Sequence, residues 1–287
     1  MAIIISGKEI ASKIRQELAE EIESLKIKIK RAPCLAVIWV GEHPASASYI
    51  RAKEKACKEI GIEFELYHLS EDTSQEELCE LIKQLNHKET VDAFLVQLPL
   101  PPSISERAII ETINPEKDAD GFHPYNLGRL LIGEPSFIPC TPAGIWELLC
   151  RAGIETRGKE VVILGRSNIV GKPLAALLMQ KNTGNATVTV CHTATKDLLF
   201  HTLRADILIV AIGKPRFIKQ NMVKKGTIVI DVGIHRTEKG LCGDVDFEDV
   251  SSKVAAITPV PGGVGPMTVA MLLKNTLLAY KKRYGLM

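Results

Sequence analysis

Short apolar runs rich in β-branched residues alternate with helix-length amphipathic stretches along almost the whole chain, and few folds accept that rhythm. Strands separated by helices do not pair as simple hairpins. Each crosses over to lie parallel to an earlier one, which makes this an α/β protein with mostly parallel sheets. In the first half the strand candidates are CLAVIWV (34–40), FELYHL (64–69) and DAFLVQL (92–98), with helical patterns near 45–60 and 75–87 between them, a βαβαβ unit. From about 99 to 142 the character changes to Pro/Gly-rich turn signals (PLPPS, INPEKDADGFHP, FIPCTPAG). The rhythm restarts with EVVILG (160–165), ATVTVC (186–191), DILIVAIG (206–213), GTIVIDVG (226–233) and VAAIT (254–258). Two domains are expected, with the boundary in that Pro/Gly-rich stretch. PLAALLMQK (173–181) is the clearest helix of the second half. The final PMTVAMLLKNTLLAYKKRYG reads as a helix whose last turns carry the basic residues that suit the negative end of its dipole.

Composition narrows the function. With 36 Lys+Arg against 34 Asp+Glu the net charge is +2, too even for bulk nucleic-acid or membrane-surface binding. At 287 residues and 46% hydrophobic content, the chain can bury its cores without metals or cross-links. The cysteines at 34, 57, 79, 140, 150, 191 and 242 are odd in number and contain no C-x-x-C pair, so they read as reduced core residues. No apolar run approaches the roughly 18 residues of a membrane span, and the N-terminus lacks a targeting pattern. A cytoplasmic protein of enzyme size is expected.

EVVILGRSNIVGKPLAALLMQK has the strand, glycine turn and helix order of a dinucleotide-binding unit, although the G-x-G-x-x-G rule is met only at Gly165. Ser167 and Val170 stand at the second and third glycine positions, and Gly171 comes one residue late. An ordinary βα turn remains open on this evidence. The next strand ends in TVCHTAT, with Cys191, His192 and Thr193 where NAD-binding folds carry an acid. Arg166 and Thr193 would offer a 2′-phosphate a cation and a hydroxyl, so NADP is preferred over NAD.

In PASASYIRAKEKACKEIGI, Tyr49 and Lys53 are four residues apart and share a helix face. That face is either a solvated surface or a catalytic one in which lysine moves protons and tyrosine lies against a flat substrate. Gln97 emerges at the carboxyl end of a strand, the edge where α/β sheets bind ligands. Asp118 and Asp120 lie in a turn where capping and function compete, and Gly262, Gly263 and Gly265 precede the last helix in a second loop open to a ligand. His43, His123, His192 and His235 have no partners at metal-ligand spacing, so no metal is expected. There is no Walker A motif and no G-x-S-x-G elbow.

Taken in order, VGEHPASASYIRAKEKACKEIGI, VQLPLP, KDADGFHP, PCTPAGI, GRSNIVGKPLA, DVGI and PVPGGVGPMTVAMLLKNT resemble the bifunctional methylenetetrahydrofolate dehydrogenase/cyclohydrolase (FolD) family along essentially the whole chain. The resemblance implies a folate-binding catalytic domain (1–139), a Rossmann-like NADP domain (140–287), a cleft between them, and a C-terminal helix (266–287) returning to the first domain. It implies oxidation of 5,10-methylenetetrahydrofolate by NADP to the methenyl cation, then hydrolysis to 10-formyltetrahydrofolate. Lys53, Gln97, Tyr49 and Asp120 match the family's catalytic positions, and Leu98, Pro261, Gly262 and Gly263 join them in the substrate set. Gly165, Arg166, Ser167, Thr193 and Ile234 match the cofactor set, with threonine at 193 where serine is common. His43 stands where many members carry aspartate, which implies a changed local cap. A homodimer acting on a small-molecule folate, with neither nucleic acid nor membrane as partner, is also implied. Two other readings stay open: an NADP dehydrogenase of another small substrate, and a non-catalytic NADP sensor.

Overall fold

The computed structural model describes residues 2–238 and 240–286, with only the backbone described for Pro44 and Ala45. The described residues fall into two compact units, one drawn from 1–12, 130–133 and 139–268, the other from 13–129, 134–138 and 269–287. β1 (Ile3–Ile4) leads into α1 (Gly7–Ile29), after which the second of these units is laid down as β2 (Cys34–Val40), α2 (Pro44–Ile60), β3 (Glu63–Leu69), α3 (Gln75–His87) and β4 (Ala93–Val96). Its strands are parallel in the order β3-β2-β4. The central strand β2 is buried at every residue, which is why CLAVIWV is an unbroken apolar run, while the edge strand β3 keeps several residues partly or fully exposed.

Local chemistry sets the ends of these elements. Ser74 and Glu77 form a capping box at the start of α3, and α2 stops at Gly61, whose left-handed φ of 80° a side chain would resist. His43 caps α2 without a side-chain hydrogen bond. One face of β2 and β4 (Ala36, Ile38, Val40, Phe94, Val96) packs on Leu78, Ile82 and Leu85 of α3 and on Ile109 of α4 (Glu106–Thr112). The Pro/Gly-rich stretch therefore holds more regular structure than turns: α4, α5 (Pro124–Leu131) and the start of α6 (Cys140–Arg151) lie within it. Pro124 is the first residue of its helix, where a missing N–H costs nothing, so this proline starts a helix rather than breaking one.

The other unit continues with β5 (Glu160–Leu164), α7 (Gly171–Met179), β6 (Thr187–Cys191), α8 (Leu198–Thr202), β7 (Ile207–Val210) and β8 (Ile228–Asp231). The hairpin β9 (His235–Thr237) and β10 (Gly240–Cys242) follows, then α9 (Phe247–Val250), β11 (Ala256–Ile257) and α10 (Val264–Arg283). Its six strands are parallel in the order β1-β11-β8-β7-β5-β6. Counted from β5, five of them run 2-1-3-4-5, a doubly wound sheet whose strand order reverses between β5 and β7. β1, only two residues long, adds the far edge by pairing with β11, so the first residues belong with the second half of the chain.

α10 contributes to both units, dividing after Thr268. In the unit that holds β2, its Asn275 is buried and donates from Nδ2 to the carbonyls of Ala119 (2.9 Å) and Ile138 (3.1 Å). Tyr280 donates to the Arg31 carbonyl at 2.6 Å, and Lys281 pairs with Glu21 at 2.7 Å. Asn275→Ala removes these two hydrogen bonds, one buried and one partly buried, so it is expected to destabilise the protein by about 1–3 kcal/mol, read as a lower urea midpoint.

Candidate active site

Crossing from β2 through α2 and back to β4 places two polar side chains side by side. Lys53, on α2, donates from Nζ to Gln97 Oε1 at 3.0 Å, and Gln97 follows β4 at its carboxyl end. The backbone N–H of Gln97 bonds to the Ile38 carbonyl of β2 at 2.8 Å, and its side-chain Nε2 donates to the Leu98 carbonyl at 2.7 Å. The second contact fixes the amide orientation, leaving the oxygen to Lys53. Tyr49 lies one turn before Lys53 and is exposed.

Residues 117–119 run beside β4 as a short parallel continuation of the sheet: Phe94 bridges Asp118, the Phe94 N–H bonds to Lys117 O at 2.9 Å, and the Ala119 N–H to Phe94 O at 3.1 Å. Asp120 therefore emerges at the same carboxyl edge as Gln97. The two acids of KDADGF have separate duties. Asp118 is buried and turned inward, accepting from the N–H of Gly121 (3.0 Å) and His123 (2.8 Å) and from Asn126 Nδ2 (2.9 Å). Burial raises its proton affinity, and those donors oppose the rise. Asp120 has no hydrogen-bond partner among the described residues. It keeps some accessible surface, yet protein encloses it closely enough that burial pushes its carboxyl up to about 6, against the downward pull of the Lys53 charge. A poorly solvated carboxyl without a partner, within electrostatic reach of a lysine, is a group waiting for a donor-bearing ligand.

The doubly wound unit holds a cavity of about 320 Å³ at the carboxyl ends of β5, β6 and β7, lined among others by Gly165, Arg166, Ser167, Thr193 and Lys214. Gly165 has φ +117°, and a Cβ there would lie 2.2 Å from the Ala211 carbonyl oxygen; one at Gly171 would lie 2.1 Å from the Gly165 oxygen. These contacts explain why the glycine spacing departs from the usual fingerprint: the late Gly171 gives the close approach of helix to turn. Ser167 Oγ accepts the Val170 N–H at 3.1 Å, while the N–H groups of Arg166, Ser167, Asn168 and Ile169 have no partner among the described residues. Free amides before a helix N-terminus, two cations (Arg166 and Lys214) and no acid among the described lining residues suit a dinucleotide carrying an extra phosphate.

Ile234 is not among the described residues lining this cavity. It is exposed beside the start of α10, where a Cβ on Gly265 would stand 3.4 Å from its Cδ1. Pro261 follows a cis peptide bond, Gly262 has φ +102° and accepts the Lys8 N–H through its carbonyl at 2.9 Å, and a Cβ at Gly7 would lie 1.9 Å from the Gly263 oxygen. The PGG loop is thus locked against the N-terminal segment. The residues missed by sequence reasoning are Asp231 and Asp244, whose carboxylates organise the loops around the cavity. Nothing local in the sequence marks Asp244, whose amide partners lie about 30 residues upstream. Among the described residues no group of three or more His, Cys, Asp or Glu is arranged to hold a metal ion, and no described helix is long and apolar enough to cross a membrane.

Comparison with known proteins agrees with this two-part layout. The model of the tetrahydrofolate dehydrogenase/cyclohydrolase catalytic domain matches residues 5–120, and that of the NAD(P)-binding domain matches 139–284. The chain belongs to the tetrahydrofolate dehydrogenase/cyclohydrolase family. It is 54% identical to the bifunctional protein FolD of Desulfovibrio desulfuricans over 282 residues, 98% of this chain and 99% of that one. The crystal structure of the bifunctional enzyme FolD from Campylobacter jejuni superposes with TM-score 0.95 at 51% identity, covering 99% of this chain and 100% of the other. The FolD of Trypanosoma brucei, crystallised with NADP and an inhibitor, does so with TM-score 0.93 at 41% identity, covering 99% and 98%.

The Asp120 environment yields a direct expectation. In Lys53→Met the opposing charge is gone, so the Asp120 carboxyl should titrate above the value of about 6 it has beside the lysine, followed by carboxyl-carbon NMR. An unchanged titration would disconnect the two groups.

Proposed function

We propose that this chain is a bifunctional folate enzyme that oxidises 5,10-methylenetetrahydrofolate to the 5,10-methenyl form with NADP and then hydrolyses that product to 10-formyltetrahydrofolate. The reading rests above all on the Lys53–Gln97 pair, with the partnerless Asp120 carboxyl within reach of its charge, in a chain of this family. NADP, when bound, supplies the hydride acceptor. Arg166, Ser167 and Thr193 hold its phosphates and ribose edge, and Ile234 lies at the cofactor. Lacking an acid at the end of β6, the site favours NADP over NAD.

On the substrate side, Asp120 accepts N–H donors from the polar edge of the pterin, and the Tyr49 ring offers a flat apolar surface to the folate. Leu98, Pro261, Gly262 and Gly263 are assigned to the substrate by the family resemblance. The hydrolytic step adds water to the methenyl carbon, breaks the bond from that carbon to N5 and leaves the formyl group on N10. Of the two water protons, one ends on N5 and the other is released. Lys53 Nζ moves that proton, and Gln97 keeps Nζ aimed by accepting one of its hydrogens at 3.0 Å, its own amide fixed by the Leu98 carbonyl. The family resemblance also carries a homodimer and a cytoplasmic site of action into this proposal.

Lys53→Ala should lower the cyclohydrolase rate by about 10²-fold or more, since positioned proton transfer is worth that much. Opening of methenyltetrahydrofolate at the unaltered rate would remove Lys53 from the mechanism. Tight NADP binding without turnover of any folate would instead make the protein a nucleotide sensor. A second expectation follows from Asp120. As pH falls through about 6 its carboxylate takes up a proton and loses an acceptor for the pterin edge, so KM for folate should rise on the acid side. In Asp120→Asn that acid-side rise should vanish, leaving a uniformly weak KM.

A further inference from the structure

Two buried aspartates in the doubly wound unit have no part in the chemistry described so far, yet they are among the most fully bonded side chains around the cavity. Asp244 accepts the backbone N–H of Ile212 (2.7 Å) and Gly213 (3.0 Å) on Oδ2, and that of Lys214 (2.9 Å) on Oδ1. His235 Nε2 lies 2.7 Å from the same Oδ1. Asp231 in turn accepts the N–H of Gly233 (3.0 Å) and of Asp244 itself (2.9 Å) on Oδ1, and that of Val245 (2.9 Å) on Oδ2. The packing leaves no slack: a Cβ at Gly233 would stand 2.4 Å from Asp244 Cγ, and one at Gly243 1.9 Å from Asp231 Oδ2.

Three successive N–H groups turned to one point form a nest that binds anions. Here the nest follows β7 and is filled from within the protein by the Asp244 carboxylate. Ile212 and Lys214 of that loop line the 320 Å³ cavity, so the carboxylate fixes the wall from behind and takes N–H groups that would otherwise compete for a phosphate. The phosphates are left to the free amides of residues 166–169. We infer that Asp244, steadied by His235 and Asp231, is a positioning residue for nucleotide binding: it sets the β7 loop, and with it Lys214, at the cavity wall. This inference rests on the reading of that cavity as the NADP site.

The test is direct NADP⁺ titration of the full-length protein, by calorimetry, beside cyclohydrolase turnover, which consumes no nucleotide. In Asp244→Asn the amide oxygen can keep two N–H donors and the NH₂ can face His235 in its other tautomer, which strands the Lys214 N–H. NADP⁺ affinity should then fall at least fivefold more than cyclohydrolase kcat/KM does. Equal losses in both, or a lowered Tm with unchanged NADP⁺ affinity, would reduce Asp244 to a structural residue and overturn the inference. Should Asp244→Asn not fold, His235→Phe and His235→Gln carry the test. Phenylalanine keeps a ring without the donor and should weaken NADP⁺ severalfold, glutamine restores a donor and should recover most of it, and equal affinity in both overturns the inference. If the unaltered protein does not bind NADP⁺, the reading of the cavity itself fails; if it binds and Asp244→Asn binds equally, only the positioning role fails.

Discussion

A parallel strand that ends leaves amides with no ladder to join, and the loops leaving its carboxyl end must find acceptors or stay wet. In both units the answer is a buried aspartate. Asp118 gathers the N–H groups of Gly121 and His123 and so folds the turn that presents Asp120, while Asp244 gathers three amides after β7 and Asp231 three more after β8 and β10. Each carboxylate is far from water, and burial raises the proton affinity of Asp118 and of Asp231, the latter to about 6. The N–H donors offset much of that penalty, which is why a charge can serve as the hub of a loop. Removing such a hub strands several amides at once.

The same logic separates Asp118 from Asp120, two residues away. Asp118 and Asp120 are both enclosed, but the first spends its lone pairs on amides and Asn126, whereas the second faces Lys53 through space and has no hydrogen bond among the described residues. Residue type does not distinguish them. The difference lies in where the acceptor capacity goes, and only the unspent carboxyl can recognise a ligand.

Much of the fold was legible because its strands are buried and β-branched. CLAVIWV is β2 residue for residue, and each of the five runs of the second half contains a strand. Elements defined by partners distant in sequence were not legible: β1 exists only because residues 3–4 meet 256–257, and the β9–β10 hairpin has no apolar face to show a period of two. Proline misled in the 99–142 stretch, since residues that break helix interiors also open helices. The Tyr49–Lys53 spacing by itself favoured a solvated face; the contact to Gln97, 44 positions away, is not legible in that spacing. Asp244 was silent for a similar reason. Its partners lie about 30 residues upstream, and no local pattern says that three amides will turn toward it.

Both sheets reverse strand order in the same way, β3-β2-β4 in one unit and β6-β5-β7 in the other, and each set of polar groups emerges next to that reversal. A reversal splays the flanking helices apart, so the carboxyl ends of the two central strands open onto a crevice that no crossover covers. What occupies the crevice then depends on the turn after the first of the pair. After β2, Gly41 leads into a helix whose face brings Lys53 to Gln97, the pair proposed to handle protons. After β5, Gly165 and Gly171 bring the helix N-terminus against the turn, leaving the amides of residues 166–169 without partners among the described residues, beside the Arg166 and Ser167 side chains, the group proposed to hold phosphate. One topology thus carries both proposed sites, the first built on side chains from a crossover helix and a strand end, the second on a turn's own amides and side chains.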